Sequence, residues 1–298
     1  MILGTFDFSR SGPRHSITQH TQSVVQHQPV VFMQKSLCAV AAAATAGSAF
    51  LMLMSPRAQR WRWWLRQRWL RTFLIERDTI DVTAARLVGG VDISFVKDSE
   101  SDACAALVIL DAQSLAVVHE SYRRVQVSAP YIPGFLAFRE VNFLLDMVHE
   151  LQRDLPEFVP DVIMVDGNGI LHPNRFGLAS HLGVMCGIPT VGIGKKLHHV
   201  DGLDKHTSTT LCAPSSGKLM RRHDHALLIG LSGATWGALL RTTEPADGNF
   251  KPIIISVGHG VSLDSAIELT KRCTMKRIPE PVRQADLRSR AWLRQHRE

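Results

Sequence analysis

Apolar positions follow two distinct rhythms along the chain and predict elements accordingly. "LVGGVDISFV" (87–96), "CAALVILDA" (104–112) and "AVVHESYRRV" (116–125) read as strands, and the short polar turns between them predict an antiparallel meander. "REVNFLLDMVHELQRD" (139–154) changes to the helical period. Val141, Leu144, Leu145, Val148 and Leu151 form one stripe, with Arg139, Asp146, His149, Glu150 and Arg153 opposite. "PDVIMVDGNG" (160–169) is continuously apolar up to Asp-Gly, which predicts a central strand buried on both faces. A helix over 176–187, a strand over 190–196, an exposed irregular segment over 201–225, strands within 226–240 and 252–257, and a helix over 262–273 complete the pattern. Upstream, Leu70, Phe73 and Leu74 predict a helix from about residue 66. A meander followed by alternating helix and strand gives an α/β domain, a mixed β-sheet flanked by helices.

The N-terminal portion differs. Up to Gln34 it is rich in Ser, Gln and His, with Asp7 its sole acid. The uncharged, marginally hydrophobic run at 37–54 has roughly the length of a membrane span. It precedes "RAQRWRWWLRQRWLRT", where arginines interleave with tryptophans. Three readings stand: a signal-anchor with an interfacial collar, an organelle-targeting peptide, and an unfolded extension. The organisation expected is an extension at 1–60, a folded domain at 61–290 and a basic tail at 291–298.

Composition adds two constraints. At 298 residues, 45% hydrophobic and 20% charged, the chain is that of a folded protein. Its net charge of +7 suits a polyanionic partner. The five cysteines are scattered without a C-x-x-C pair, which argues against a zinc site or a disulfide framework.

Candidate chemistry rests first on three acids. Asp92 is a carboxylate in the middle of an apolar strand, where an unpaired buried charge is expensive. Ser94 shares its side by period two, so a solvated face explains it equally well. Glu140 lies in a helix's first turn, where the helix dipole favours it. Asp166 ends the central strand, where ligands of open α/β sheets bind, and an Asp-Gly turn is the plainer account. Gathered together, the three would suit a hard divalent cation such as Mg²⁺ or Mn²⁺. Lys195 in "GIGKK" suits a phosphate counter-charge or an ordinary surface. His259, between glycines, suits a ligand, a proton carrier or a structural role. Tyr131 in "APYIPGFLAF" reads as an aromatic wedge against a base or as a buried plug. Arg272, Lys276, Arg277, Arg283 and Arg288 are candidates to line the path of a nucleic-acid strand.

"VGGVDISFV", "APYIPGFLAFRE", "VDGNGILHPNRFGLASHLGV", "PTVGIGKKL", "ISVGHGVSLDSA" and "RIPEPVRQAD" together resemble the endonuclease V family, animal type, over about residues 68–290. The resemblance implies an RNase H-like fold and a Mg²⁺-dependent endonuclease, with Mn²⁺ as a substitute. It implies Asp92 and Asp166 as metal residues with Glu140 in the same acidic cluster, and Lys195 and His259 completing the catalytic group. It implies a wedge at Pro130, Tyr131, Ile132 and Pro133, and a base pocket using the turn at Gly167, with His172 a nucleic-acid contact. The implied substrate is inosine in single-stranded RNA, with deoxyinosine in DNA, the bacterial-type preference, as a further substrate. Cleavage is implied at the second phosphodiester bond 3′ to inosine, leaving 3′-hydroxyl and 5′-phosphate ends. A monomer of cytoplasm and nucleus or nucleolus is expected, with membrane attachment through 37–54 the alternative. A catalytically silent inosine-binding module is the rival reading of function.

Overall fold

A computed structural model describes residues 55–244 and 250–296. The apolar 37–54 segment, and with it the anchor and targeting readings, lies outside the described residues. The first described element, α1 (Pro56–Arg71), begins well before the point that apolar spacing predicts. Ser55 caps it, its hydroxyl accepting the Ala58 N–H at 3.2 Å, and Pro56 takes the first turn. Its inward stripe is Trp63, Gln67 and Leu70, an apolar pattern interrupted by a glutamine. Among the described residues no helix is long and apolar enough to cross a membrane.

The meander forms as expected from β1 (Leu87–Phe95), β2 (Asp102–Asp111) and β3 (Val117–Gln126). After α2 (Ala137–Asp154), β4 (Val162–Asp166) pairs parallel to β1, and α3 (Leu178–Cys186) leads to β5 (Thr190–Gly194), parallel to β4. The expected loop at 201–225 instead contains α4 (Lys205–Cys212). Its few apolar positions hide it from a periodicity argument, but a reciprocal cap marks its start. Asp204 Oδ1 accepts the Thr207 N–H at 2.9 Å, and Thr207 Oγ1 accepts the Asp204 N–H at 3.2 Å.

The stretch 226–240 divides into β6 (His225–Ile229) and β7 (Thr235–Leu240), separated by a turn with Gly233 at φ +80°. Then follow β8 (Ile253–His259), α5 (Leu263–Arg272) and α6 (Glu280–Gln295). Residues 291–295, expected as a tail, continue α6, and Leu293 is buried. The eight strands run β3-β2-β1-β4-β5-β8-β7-β6. Only β1, β4 and β5 are mutually parallel among the paired strands, so three carboxyl ends open on one edge at the sheet centre.

Both sheet faces are covered. Val91, Leu107, Ile163 and Val165 pack with Leu144 and Val148 of α2 and Leu182 of α3. Val88, Met164, Val191 and Ile255 pack on the other face with Ile267 of α5 and Val282 of α6. Helix α6 also meets Ala106, Val108 and Leu110 of β2 through Ala285. Its start passes so close to β1 that a Cβ on Gly90 would stand 2.0 Å from the Pro281 carbonyl oxygen. Gly90→Ala therefore forces the helix away from the strand and should cost about 1–3 kcal/mol. Thermal unfolding should show a midpoint lowered by roughly 3–10 °C; an unchanged midpoint would mean the helix can shift freely.

Candidate active site

The pairing of β1 with β4 sets the site. Val91 stands opposite Val165, so the next residues, Asp92 and Asp166, end up side by side where both strands run out. Lys195 follows the last residue of β5 at the same edge, and its Nζ donates to Asp166 Oδ2 at 2.5 Å. Asp92 is 9% exposed and accepts a 2.9 Å hydrogen bond from Ser94 Oγ. The face that Asp92 and Ser94 share is therefore mostly covered rather than open to solvent. Helix α6 covers it, with Ser289 Oγ 2.8 Å from Ser94 Oγ and 3.4 Å from Asp92 Oδ2.

Glu140 joins from the first turn of α2 and is 9% exposed. Burial, then the Asp92 charge, push its carboxyl up to about 7, against the partial relief of Arg139. Asp92 is raised too, first by burial and next by Asp166, with Asp286 adding to the repulsion. Ser94 and Lys195 pull it back.

A cavity of about 360 Å³ opens on this cluster, lined by Asp92, Ser94, Asp166, Lys195, Asp286 and Arg290 among others. Asp286 is a member of this site that the local sequence pattern does not mark. It sits on α6 one position after the buried Ala285 and is ion-paired to Arg290 at 2.6 Å. The helical stripe of Val282, Ala285, Ser289 and Leu293, running on from "RIPEPVRQAD", is the signal that places it on a helix.

The donor set is all carboxylate oxygen, the chemistry of a hard cation. Lys195 bonds Asp166, Arg290 pairs with Asp286, and Lys97 also lines the cavity, yet the Asp92 and Glu140 carboxyls stay raised, so the cations present only partly offset the cluster's charge. Among the described residues, no three acid, imidazole or thiol groups surround one common point as an ion's ligands do. The residues thus fit a divalent cation in donor type and charge, with Lys195 holding one Asp166 oxygen.

His259 is not brought to this cluster. Strand β8 runs antiparallel to β5 and pairs His259 with Thr190, the first residue of β5. That separates its backbone from Lys195 by the length of the strand, roughly 16 Å at about 3.3 Å per residue. Its Nδ1 accepts the Ile75 N–H at 3.3 Å, and burial lowers its pKa. The ring fastens the segment after α1 to the end of β8.

The turn after Asp166 is shaped by close approach. A Cβ on Gly169 would stand 1.8 Å from the Val257 carbonyl oxygen. Gly167 donates its N–H to the Ile193 carbonyl at 3.1 Å, and Leu178 packs beside it. His172 accepts the Asn174 N–H at Nδ1 and bonds to the Gly134 backbone, while burial holds its pKa down to about 4. It acts as a neutral brace under the loop at 130–134. That loop is no plug: Tyr131 is 63% exposed, and Pro130 and Pro133 are less deeply set than a plug requires. Ile132 is half-buried, and its carbonyl accepts the N–H of buried Phe135, which anchors the loop.

The proposed strand-lining arginines are otherwise engaged. Arg272 donates to the Val82 and Thr83 carbonyls and Arg277 to those of Lys251 and Pro252. Arg283 pairs with Glu280, and Arg288 with Glu120.

Comparison with known proteins gives this arrangement a context. The sequence profile of endonuclease V matches residues 69–287. The chain belongs to the endonuclease V family. Endonuclease V of Homo sapiens is 45% identical over 238 residues, covering 78% of this chain and 82% of the relative. That of Mus musculus is 44% identical over 234 residues, covering 76% and 67%. The crystal structure of the catalytic domain of human endonuclease V superposes with a TM-score of 0.76 at 43% identity, over 81% of this chain and 98% of that one. A singly substituted endonuclease V of Ciona intestinalis, solved with a 23mer DNA containing an inosine followed by a ribo-adenosine, gives 0.75 at 29% identity, over 82% and 100%. The mixed sheet with helices on both faces is the RNase H-like fold of the endonuclease V family.

The raised Glu140 carboxyl has a consequence for stability. Its folded pKa exceeds the unfolded value near 4.5, so the folded state holds more protons across that window. Stability of the metal-free protein then falls as pH rises from about 4.5 to about 7. Glu140→Gln should raise the metal-free thermal midpoint at pH 8 by roughly 2–8 °C and leave it little changed at pH 4.5. An equal shift at both pH values would remove charge as the cause.

Proposed function

We propose that this chain is a divalent-cation-dependent endonuclease that recognises inosine in nucleic acid and hydrolyses the second phosphodiester bond 3′ to it. The products are 3′-hydroxyl and 5′-phosphate ends, the preferred substrate is single-stranded RNA, and Mg²⁺ is the metal, with Mn²⁺ able to replace it. The observation that carries the reading is the adjacency of Asp92 and Asp166 at the ends of parallel β1 and β4, with Glu140 and Lys195 beside them. Family membership and the inosine-containing DNA bound by the Ciona intestinalis relative supply the substrate class.

Asp92, Asp166 and Glu140 would hold the cation, with Asp286 adding negative charge beyond Asp92. A divalent cation, when bound, polarises the scissile phosphate and acidifies water. The chain's own groups do the rest. Lys195 exchanges part of its contact with Asp166 for a phosphate oxygen and offsets charge there. Ser94 and Ser289 keep the Asp92 carboxylate oriented toward the cavity. Exposed Tyr131 fills the space left by an extruded base, whose displacement costs least where the strand is already unpaired. Gly167 and Gly169 let backbone groups approach that base closely. His259 takes no part in this scheme, being fixed at the other end of β5.

The intact carboxylate cluster favours an enzyme over a silent inosine reader, which needs only a pocket and a wedge. Cleavage of matched inosine-containing RNA and DNA strands, with Mg²⁺ or with EDTA, tests the proposal. RNA should be cut faster, EDTA should abolish product, and Asp92→Ala should lower the rate by about 10²–10³-fold or more, as loss of a principal electrostatic group does. His259→Gln should retain activity within about tenfold, a range left for changed positioning. Binding of inosine RNA without any metal-dependent product would instead establish the reader.

A further inference from the structure

Helix α1 carries chemistry that the proposed function leaves unused. Arg57, Arg60, Trp61, Trp64 and Arg68 recur at three- and four-residue spacing and so share one side. Trp61 is 61% exposed and Trp64 39%. The Arg68 guanidinium lies 5.2 Å from the centre of the Trp64 ring. The helix contains no acidic residue.

The neighbouring side, roughly a third of a turn away, is fastened down. Trp63 stacks on Phe138 at 5.3 Å and 9°. Gln67 Nε2 donates to the Phe176 carbonyl at 2.7 Å, and Gln67 Oε1 accepts from Asn174 Nδ2 at 2.7 Å. The exposed tryptophans are therefore held on a rigid base.

Between this side and the body of the domain lies a cavity of about 570 Å³. Its walls are Arg57, Arg60, Trp61 and Trp64 on the helix, and two loops that include Pro133, Gly134 and Asn174. Pro133 and Gly134 belong to the loop that presents Tyr131, so one loop borders both the wedge and this cavity.

We infer that α1 is a platform for single-stranded nucleic acid, on which Trp61 and Trp64 stack bases and Arg57 and Arg60 hold phosphates of the same strand that Tyr131 engages. The inference rests on the proposed function for its substrate class. Indole faces beside guanidinium groups are the chemistry of sequence-tolerant strand binding. A lipid surface fits less well, because the helix spends its apolar inner side on the domain and arginines interrupt the outer side. The engagement of Arg272, Arg277, Arg283 and Arg288 with the protein's own groups leaves α1 as a better candidate for the strand's path than the C-terminal arginines.

The test is fluorescence anisotropy with the full chain in EDTA, so that no strand is cut. Three RNA probes are used: an inosine-centred 5-mer, an inosine-centred 20-mer, and a 20-mer without inosine. Trp61→Ala/Trp64→Ala should weaken both 20-mers at least about fivefold while leaving the 5-mer within about twofold, since stacking is lost only where the strand reaches the helix. Arg57→Gln/Arg60→Gln should reduce the salt dependence of 20-mer binding by up to about two charges. Unchanged far-ultraviolet dichroism and melting would confirm that the variants fold.

Equal loss on the 5-mer and the 20-mers, or no loss on any, would overturn the platform. So would binding to phosphatidylserine-containing vesicles that the variants abolish while 20-mer affinity stays unchanged, which assigns the face to lipid. A wild-type chain blind to inosine would sink the proposed specificity instead. The 20-mer without inosine would still decide the platform.

Discussion

Two like charges are held one strand apart at the end of a sheet. Asp92 and Asp166 follow directly on a paired position of parallel β1 and β4, so neither can leave the other without breaking the register. Unit charges about 5 Å apart repel by about 3 kcal/mol at an effective dielectric constant near 20. Burial of Asp92 and the approach of Glu140 from α2 raise that cost, and the Asp92 and Glu140 carboxyls respond with raised pKa values. Lys195 offsets part of the charge through its bond to Asp166. A fold that concentrates negative charge in this way gains most from a cation brought in with a phosphodiester.

The rest of the fold maintains that concentration. Parallel pairing of β1, β4 and β5 directs three strand ends to one edge, and antiparallel strands complete the sheet on both sides. Helix α6 roofs Asp92, comes close enough over Gly90 to exclude a side chain, and contributes Ser289 and Asp286. His172, beneath the loop of Tyr131, and His259, at the far end of β5, are structural fasteners whose charged forms burial disfavours.

Much of this was legible in the sequence because the signals were local. The alternation around Asp92, the stripe of α2 and the run into Asp166 define their elements and place each carboxylate on them. Three things were hidden. Which end of β8 carries His259 depends on the direction of pairing with β5, and no pattern within "ISVGHG" encodes strand direction. Asp286 was obscured because arginines dominate the surface of α6 and its buried stripe contains small residues, Ala285 and Ser289. Helices α1 and α4 are held by caps and tertiary contacts rather than by an apolar stripe, so periodicity underestimates both.

In the proposed scheme an acidic centre and a basic flank divide the labour of strand handling. Charge on the flank would draw phosphates along it, while at the centre a cation would offset the repulsion between phosphate and carboxylate. Cation binding by the carboxylates is what this scheme requires. Calorimetric titration of Mn²⁺ into the metal-free protein tests it most directly. Saturable binding is expected, and Asp92→Asn and Asp166→Asn should each abolish it in folded protein. Binding undiminished by both substitutions would contradict it.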